Sequence, residues 1–305
     1  MKSIFIYNPE SGNGKITKNK DYILSRLAQK YGEIEEKPTE YSGHATVLAK
    51  QACGTCDYLF VCGGDGTLNE IVNGIGGEEN KPIIGYIPTG TVNDVARSLK
   101  ISKNLKKAVK NLLDGEVFEH DIFKVNDRYG IYVCCTGLFT KSSYDTKRSS
   151  KKRFGKIAYF FKGAKEIFTA KPVHVIVKTE QEQINRNCAL VLVLNSRSVA
   201  GFKLNKKAEL NDGMVEVVLI HSHEKKVKLS EIIRCMGTFA FGLDSFKENK
   251  KLTYRKLSSF TLVTEEGTTI NLDGEKSGAG SFDFTVIKSG VKIIAPKQKQ
   301  NEQKS

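Results

Sequence analysis

Cys62-Gly63-Gly64-Asp65-Gly66-Thr67-Leu68-Asn69-Glu70 is the stretch whose reading decides the fold. The apolar run before it, residues 58–61, predicts a buried strand. Residues 68–75 predict a short helix that stops at Gly76-Gly77. Thr67 and Glu70 stand at Ser/Thr-x-x-Glu spacing, which predicts a capping box and a helix start at Thr67. Strand, glycine turn and helix N-terminus bring backbone N–H groups and the positive end of the helix dipole to one point, an arrangement that binds phosphate. Asp65 is the odd member. A carboxylate in a phosphate cradle repels its ligand unless Mg²⁺ bridges the two or the carboxylate takes a proton from a nucleophile. The same residues also suit a tight turn in which Asp65 caps its own backbone.

Working outward, the first 120 residues alternate strand and helix. Strands are predicted at 4–7, 34–37, 58–61 and 82–87, and helices at 17–31, 43–52, from Thr67, from Asp94 to Leu99, and at 105–113. Strands separated by helices form a parallel, doubly wound sheet, whose ligands bind beyond the carboxyl ends of the strands. Three glycine-rich turns fall on that edge. They are Asn8-Pro9-Glu10-Ser11-Gly12-Asn13-Gly14-Lys15, the Asp65 loop, and Pro88-Thr89-Gly90-Thr91-Val92-Asn93-Asp94. In the third, Thr91 and Asp94 suit a helix cap. The first lacks GxxxxGK[ST] spacing, so an ordinary P-loop is disfavoured. Three converging turns point to a nucleoside triphosphate.

After residue 120 the texture changes. Strand-like runs follow one another at 130–135, 173–178, 188–195, 214–220, 259–264, 268–272 and 282–287, with helical patterns only at 154–168 and 229–241. This predicts a mostly antiparallel sandwich. The expected organisation is an α/β domain over 1–122, a β-sandwich domain over 123–287, a return strand over 288–297 rejoining the first domain, and a disordered polar tail over 298–305.

Composition narrows the function classes. A chain of 305 residues with 27% charged and 39% apolar residues is an ordinary globular sequence of roughly two domains. No run approaches the roughly 18 uncharged apolar residues of a membrane span. The start of the sequence reads directly as a strand, with no signal peptide indicated. Of the seven cysteines, Cys62, Cys134, Cys135 and Cys188 lie in apolar runs and read as buried thiols of a reducing compartment. Cys53 and Cys56 have CxxC spacing, but without a second pair a zinc or redox role is disfavoured. A net charge of +14 predicts an anionic partner: nucleotide, nucleic acid or an acidic membrane.

The motifs carry a resemblance. Asn8-Pro9-x-Ser11-Gly12, Thr39 with Gly43-His44-Ala45, Gly63-Gly64-Asp65-Gly66-Thr67-x-Asn69-Glu70, and Pro88-x-Gly90-Thr91-x-Asn93-Asp94-x-Ala96-Arg97 resemble, in that order, the bacterial diacylglycerol kinase and lipid kinase family. Sphingosine and ceramide kinases share its catalytic domain. Leu210-Asn211-Asp212-Gly213 and Asn271-Leu272-Asp273-Gly274-Glu275 resemble two further motifs, so the likeness is nearly full length. It implies an α/β plus all-β fold: a doubly wound, NAD-kinase/diacylglycerol-kinase-like nucleotide domain packed on an antiparallel β-sandwich, with ATP and substrate between them. The implied activity is ATP- and Mg²⁺-dependent phosphorylation of the diacylglycerol hydroxyl to phosphatidate.

Carried over by residue, the resemblance places Asn8, Ser11, Gly12, Thr39, Gly64, Asp65, Gly66, Thr67, Leu68, Asn69, Glu70 and Thr91 against ATP, with Asp65 near the γ-phosphate and its Mg²⁺. It implies a second, structural Mg²⁺ on Asp212, with Glu209 and the Met214 carbonyl as further ligands. Asn211-Asp212-Gly213 is equally a hairpin-turn signal. The general base is assigned to Asp273 or Glu275, as in bacterial members, although in sphingosine kinases the acid matching Asp65 is favoured; Asp273-Gly274 alone also reads as a turn. Arg97, just past the third loop, is a candidate for stabilising phosphate charge or else a solvated helix-surface arginine.

Residues 147–165 carry eight Lys/Arg and no acid, with Phe154, Ile157, Ala158, Phe161 and Phe168 at helical spacing. Such a helix either lies on an anionic bilayer or packs on the core with a solvated basic face. The expected place is the cytoplasm, peripherally on the inner membrane face, with no nucleic-acid partner and room for a homodimer. Three other readings stand beside this one. They are a kinase of another lipid (sphingoid base, ceramide or undecaprenol), an NAD kinase sharing the Gly-Gly-Asp-Gly loop, and a non-catalytic basic binding module.

Overall fold

The structure is a computed structural model and describes residues 1–11, 15–138, 171–222, 226–243, 250–278 and 280–297. Gly12, the helix expected at 154–168 and the tail expected at 298–305 lie outside them. The chain divides into two compact units, residues 1–120 with the chain from Ser289 on, and Asp121–Lys288.

In the first unit β1 (Ser3–Tyr7), β2 (Ile34–Pro38), β3 (Tyr58–Gly63) and β4 (Ile83–Pro88) alternate with α1 (Lys15–Tyr31), α2 (His44–Ala52), α3 (Asp65–Ile75), α4 (Asp94–Ser98) and α5 (Leu105–Asp114). Strand order is β4-β3-β1-β2, every pair parallel. A late strand, β15 (Ser281–Ala295), runs parallel beside β4 with Ile293 opposite Ile84. β1 is buried along its whole length, as a strand covered on both faces must be. Phe5, Tyr7, Phe60 and Cys62 face Ile23, Leu27 and Tyr31 of α1 and Val109 and Leu112 of α5. Their alternates Ile4, Ile6, Leu59 and Val61 are buried on the other face, where α2 and α3 lie.

Helices α2 and α3 pack closely because Gly74 has no side chain. A Cβ there would stand 2.4 Å from the Thr46 carbonyl oxygen and 2.8 Å from the Ala49 Cβ. Gly74→Ala is therefore expected to lower stability by about 2 kcal/mol, overpacking outweighing the better helix propensity of alanine. Urea unfolding measures it, and an unchanged or raised midpoint would refute the close approach.

The second unit is antiparallel. The chain enters it along β5 (Glu116–Val125) and adds β6 (Arg128–Gly130), β7 (Val133–Gly137), β8 (Val173–Lys178), β9 (Gln183–Leu194), β10 (Val215–His221), α6 (Leu229–Phe241), β11 (Leu252–Leu257), β12 (Ser259–Thr264), β13 (Ile270–Leu272) and β14 (Glu275–Ser277). The ladder runs β14-β13-β7-β9-β8-β12-β15, with β10 also on β9, β11 on β10, and β5 between β6 and β15. Inward residues form one core, including Phe123, Val175, Val191, Val217, Phe260, Leu272 and Phe284. Phe260 and Phe284 stack at 4.5 Å on the β12–β15 pair.

Several expectations are corrected. The sequence reading omitted β5, β11 and β14, and gave one run at 130–135 where β6 and β7 stand. β15 is one continuous strand where two were expected, at 282–287 and 288–297. Helix α3 begins at Asp65, with Gly64 as N-cap and no side-chain cap, so the Thr67–Glu70 capping box does not form. Nor does Thr91 cap α4, whose N-cap is Asn93 in the left-handed region at φ 56°.

Candidate active site

Residues 8–11 after β1, the Asp65 loop and the loop after β4 meet at the carboxyl edge of the parallel sheet. From β1, Ser11 Oγ lies 2.7 Å from Thr89 Oγ1 of the β4 loop. Thr89 N–H donates to the Gly63 carbonyl at 2.8 Å, and Asn8 N–H to the Cys62 carbonyl at 3.3 Å. Gly64 and Gly90 touch through backbone alone, since a Cβ on Gly90 would sit 2.6 Å from the Gly64 Cα. A Cβ on Gly63 would collide with Thr67 at 2.4 Å. A side chain at Gly64 or Gly90 forces the two loops apart, and one at Gly63 displaces Thr67. Thr39 N–H donates to the Tyr7 carbonyl at 2.9 Å, so the turn after β2 is tied to β1 as well.

Asp65 sits where the loops meet, on the first turn of α3. Its Oδ2 accepts the Asn93 N–H at 2.7 Å. Its Oδ1 is buried with no hydrogen-bond partner among the described residues. Burial first, then the neighbouring Asp94 carboxylate, push the Asp65 carboxyl up to about 7, against backbone N–H donation that favours the charged form. A carboxylate keeping a buried oxygen unmatched is set to take up a cation or a proton. The first N–H groups of α3 have no carbonyl partner within the helix and face the same edge.

The other residues expected against the nucleotide divide. Asn8, Ser11, Thr39 and Thr67 are part-exposed and Gly66 and Thr91 exposed on these turns. Leu68 is fully buried, and Asn69 is buried with its Oδ1 accepting from Asn73 at 3.1 Å. Glu70 turns to α2, where its carboxylate accepts the Ala45 N–H at 3.2 Å. Leu68, Asn69 and Glu70 thus hold the helix and its neighbour rather than present side chains to a ligand. Arg97 Nε donates to the Val92 carbonyl at 3.0 Å and braces the third loop.

Two residues that sequence reasoning left out of this site position Asp65. Asn93 turns its N–H onto the carboxylate and its Nδ2 onto the Gly90 carbonyl at 2.7 Å. The buried Tyr86 hydroxyl donates to the Gly63 carbonyl at 3.3 Å or Asn93 Oδ1 at 3.4 Å. Asn in a glycine-rich turn was the available signal, because Asn tolerates the left-handed region.

In the second unit the two acids expected to act as base differ. Asp273 is buried; Oδ2 accepts the Ile131 N–H at 2.6 Å, and Oδ1 accepts Tyr132 at 3.1 Å and Val133 at 2.9 Å. Three backbone donors hold this carboxylate in place. Glu275 is exposed, its carboxylate 2.8 Å from Arg128. At the expected metal set Glu209, Asp212 and Met214, both oxygens of Asp212 have protein partners. Asp212 Oδ1 accepts the Met214 N–H at 3.0 Å, and Oδ2 accepts Lys256 Nζ at 2.8 Å. Glu209 and Met214 are exposed, and Gly213 at φ 80° makes the turn. Among the described residues no three His, Cys, Asp or Glu side chains could hold a metal ion. All seven cysteines are free, with Cys135 only part-buried, and burial pushes the Cys56 thiol up to about 11, away from a reactive thiolate.

Residues 2–125 match the family model described as the diacylglycerol kinase catalytic domain, and residues 136–295 that of the YegS C-terminal NAD kinase beta sandwich-like domain. Catalytic domain and antiparallel unit together define a lipid kinase. Over 300 residues the chain is 32% identical to a diacylglycerol kinase of Bacillus subtilis (strain 168), covering 97% of each. It is 33% identical to one of Staphylococcus epidermidis (strain ATCC 12228), covering 98% of this chain and 93% of that one. The chain belongs to the diacylglycerol kinase family. A solved diacylglycerol kinase structure from Bacillus anthracis str. Sterne has the same fold, with a TM-score of 0.80 at 24% identity over 96% of each chain.

Proposed function

We propose that the chain transfers the γ-phosphate of ATP to the free hydroxyl of diacylglycerol, giving phosphatidate. The observation that carries this reading is the unmatched, buried Asp65 Oδ1 at the meeting point of three phosphate-type turns. The acceptor is read from the relatives, which are named diacylglycerol kinases. In this reading the N–H groups opening α3 cradle the phosphates, with Asn8, Ser11, Thr39, Thr67 and Thr91 around them. Asn93 and Tyr86 fix Asp65. Mg²⁺, held by Asp65 and the phosphates, would offset the charge that builds on the transferring group. The acceptor oxygen bonds to the γ-phosphorus as the bond to the β,γ-bridging oxygen breaks, and Glu275 takes the hydroxyl proton.

The lipid acceptor places the reaction on an anionic bilayer at the cytoplasmic face, which suits a net charge of +14. Among the described residues no helix is long and apolar enough to cross a membrane. The 147–165 basic face, outside the described residues, would add membrane affinity.

Labelled γ-phosphate transfer to a panel of diacylglycerol, sphingosine, ceramide, undecaprenol and NAD, with Mg²⁺ and anionic vesicles, tests the proposal. Labelled phosphatidate is the expected product. Label on another lipid would replace the acceptor, label on NAD would replace the lipid, and no transfer would end the kinase reading.

A further inference from the structure

Tyr41 is 60% exposed, although its ring lies flat on His44, with centroids 4.5 Å apart and planes within 8°. Burial of apolar area does not explain this pair, because the outer face of Tyr41 remains open to solvent. Its mounting is rigid. His44 Nδ1 accepts the Glu40 N–H at 3.1 Å, and the His44 N–H donates to the Tyr41 carbonyl at 3.2 Å. Gly43 between them takes φ 88°, a conformation that favours glycine. One residue on, the Ala45 N–H is held by Glu70 of α3, so the pair is braced against the helix that carries Asp65.

Its position in the sheet gives the pair a use. It follows β2, the edge strand, and β2 stands two strands from β3 in the order β3-β1-β2. At the usual strand spacing that is roughly 10 Å along the same carboxyl edge from the Asp65 loop. A nucleotide with its phosphates at that loop, lying across β1, would bring its base to β2.

We infer that Tyr41, backed by His44, is the stacking platform for the base of the nucleotide, a purine by preference. The inference rests on the nucleotide reading of the site proposed above. An aromatic face stacks on any base, more strongly on the larger purine ring, and reads no hydrogen-bond pattern. ATP and GTP should therefore bind alike, and both more tightly than CTP or UTP.

Equilibrium binding of ATP and of inorganic tripolyphosphate to the full-length wild type, Tyr41→Ala and Tyr41→Phe tests this without turnover. Tyr41→Ala should weaken ATP roughly tenfold, the loss of one base–aromatic stack, and leave tripolyphosphate unchanged. Tyr41→Phe should rescue ATP binding. Equal weakening of ATP and tripolyphosphate would make Tyr41 a structural residue and overturn the platform. Unchanged ATP binding in Tyr41→Ala would also overturn it while leaving the nucleotide site standing. A wild type that binds neither ligand would remove both readings together.

Discussion

Asp65→Asn is expected to lower phosphoryl transfer by roughly a thousandfold while making the protein more stable at pH 8. The two effects share one cause. The asparagine keeps an oxygen for the Asn93 N–H but carries no charge for Mg²⁺ or a proton. In the folded protein the Asp65 carboxyl ionises only near pH 7, while in the unfolded chain it ionises near 4. Between those values the folded state binds the extra proton, so stability is full below about pH 4, falls as pH rises, and levels off above about 7. The amide escapes that loss, which is on the order of 2 kcal/mol for this part-buried site. Glu216, also raised to about 7 by burial, gives a slope of the same sign, so the variant should keep part of the wild-type pH dependence. Thermal melts at pH 5 and pH 8 beside labelled-ATP assays measure both effects. Wild-type turnover, or equal melting at pH 8, would contradict the role given to Oδ1.

The second large effect separates two acids that share one motif. Asp273→Ala should cost about 3 kcal/mol or more, because the Ile131, Tyr132 and Val133 N–H groups lose their acceptor in a buried position. Glu275→Gln should leave unfolding nearly unchanged, since an exposed ion pair contributes little, but should slow transfer by roughly a hundredfold or more. Denaturant unfolding with single-turnover kinetics on both variants decides the matter. An Asp273→Ala protein as stable as wild type yet inactive would exchange the two roles.

The parallel strands and their loops were legible because fully buried strands read as apolar runs, and loops at their ends carry glycine for close backbone contact. β5 and β11 were not. Glu116-Val117-Phe118-Glu119-His120 and Leu252-Thr253-Tyr254-Arg255-Lys256 mix charge into the strand, and among the described residues β11 pairs only with β10. What stabilises them lies on other strands, which local pattern does not carry. The Glu70 carboxylate illustrates the same limit: at capping-box spacing a local partner is the natural reading, yet it bonds to Ala45, 25 residues away. The site's acids were visible as residues. Which of them is locked and which is unmatched depended on backbone donors contributed from distant loops.

β15 has a consequence for how the chain is made. Val291 and Ile293, buried beside β4, belong to a segment synthesised only after the whole of the second unit. Lys81 Nζ donates to the Gly290 carbonyl at 2.9 Å, and Asn111 Nδ2 to that of Ile294 at 3.3 Å, so early residues wait for late ones. Until then the nascent first unit leaves the β4 edge unpaired and ready to recruit a strand from another chain. The unit made first is thus the one whose sheet is completed last.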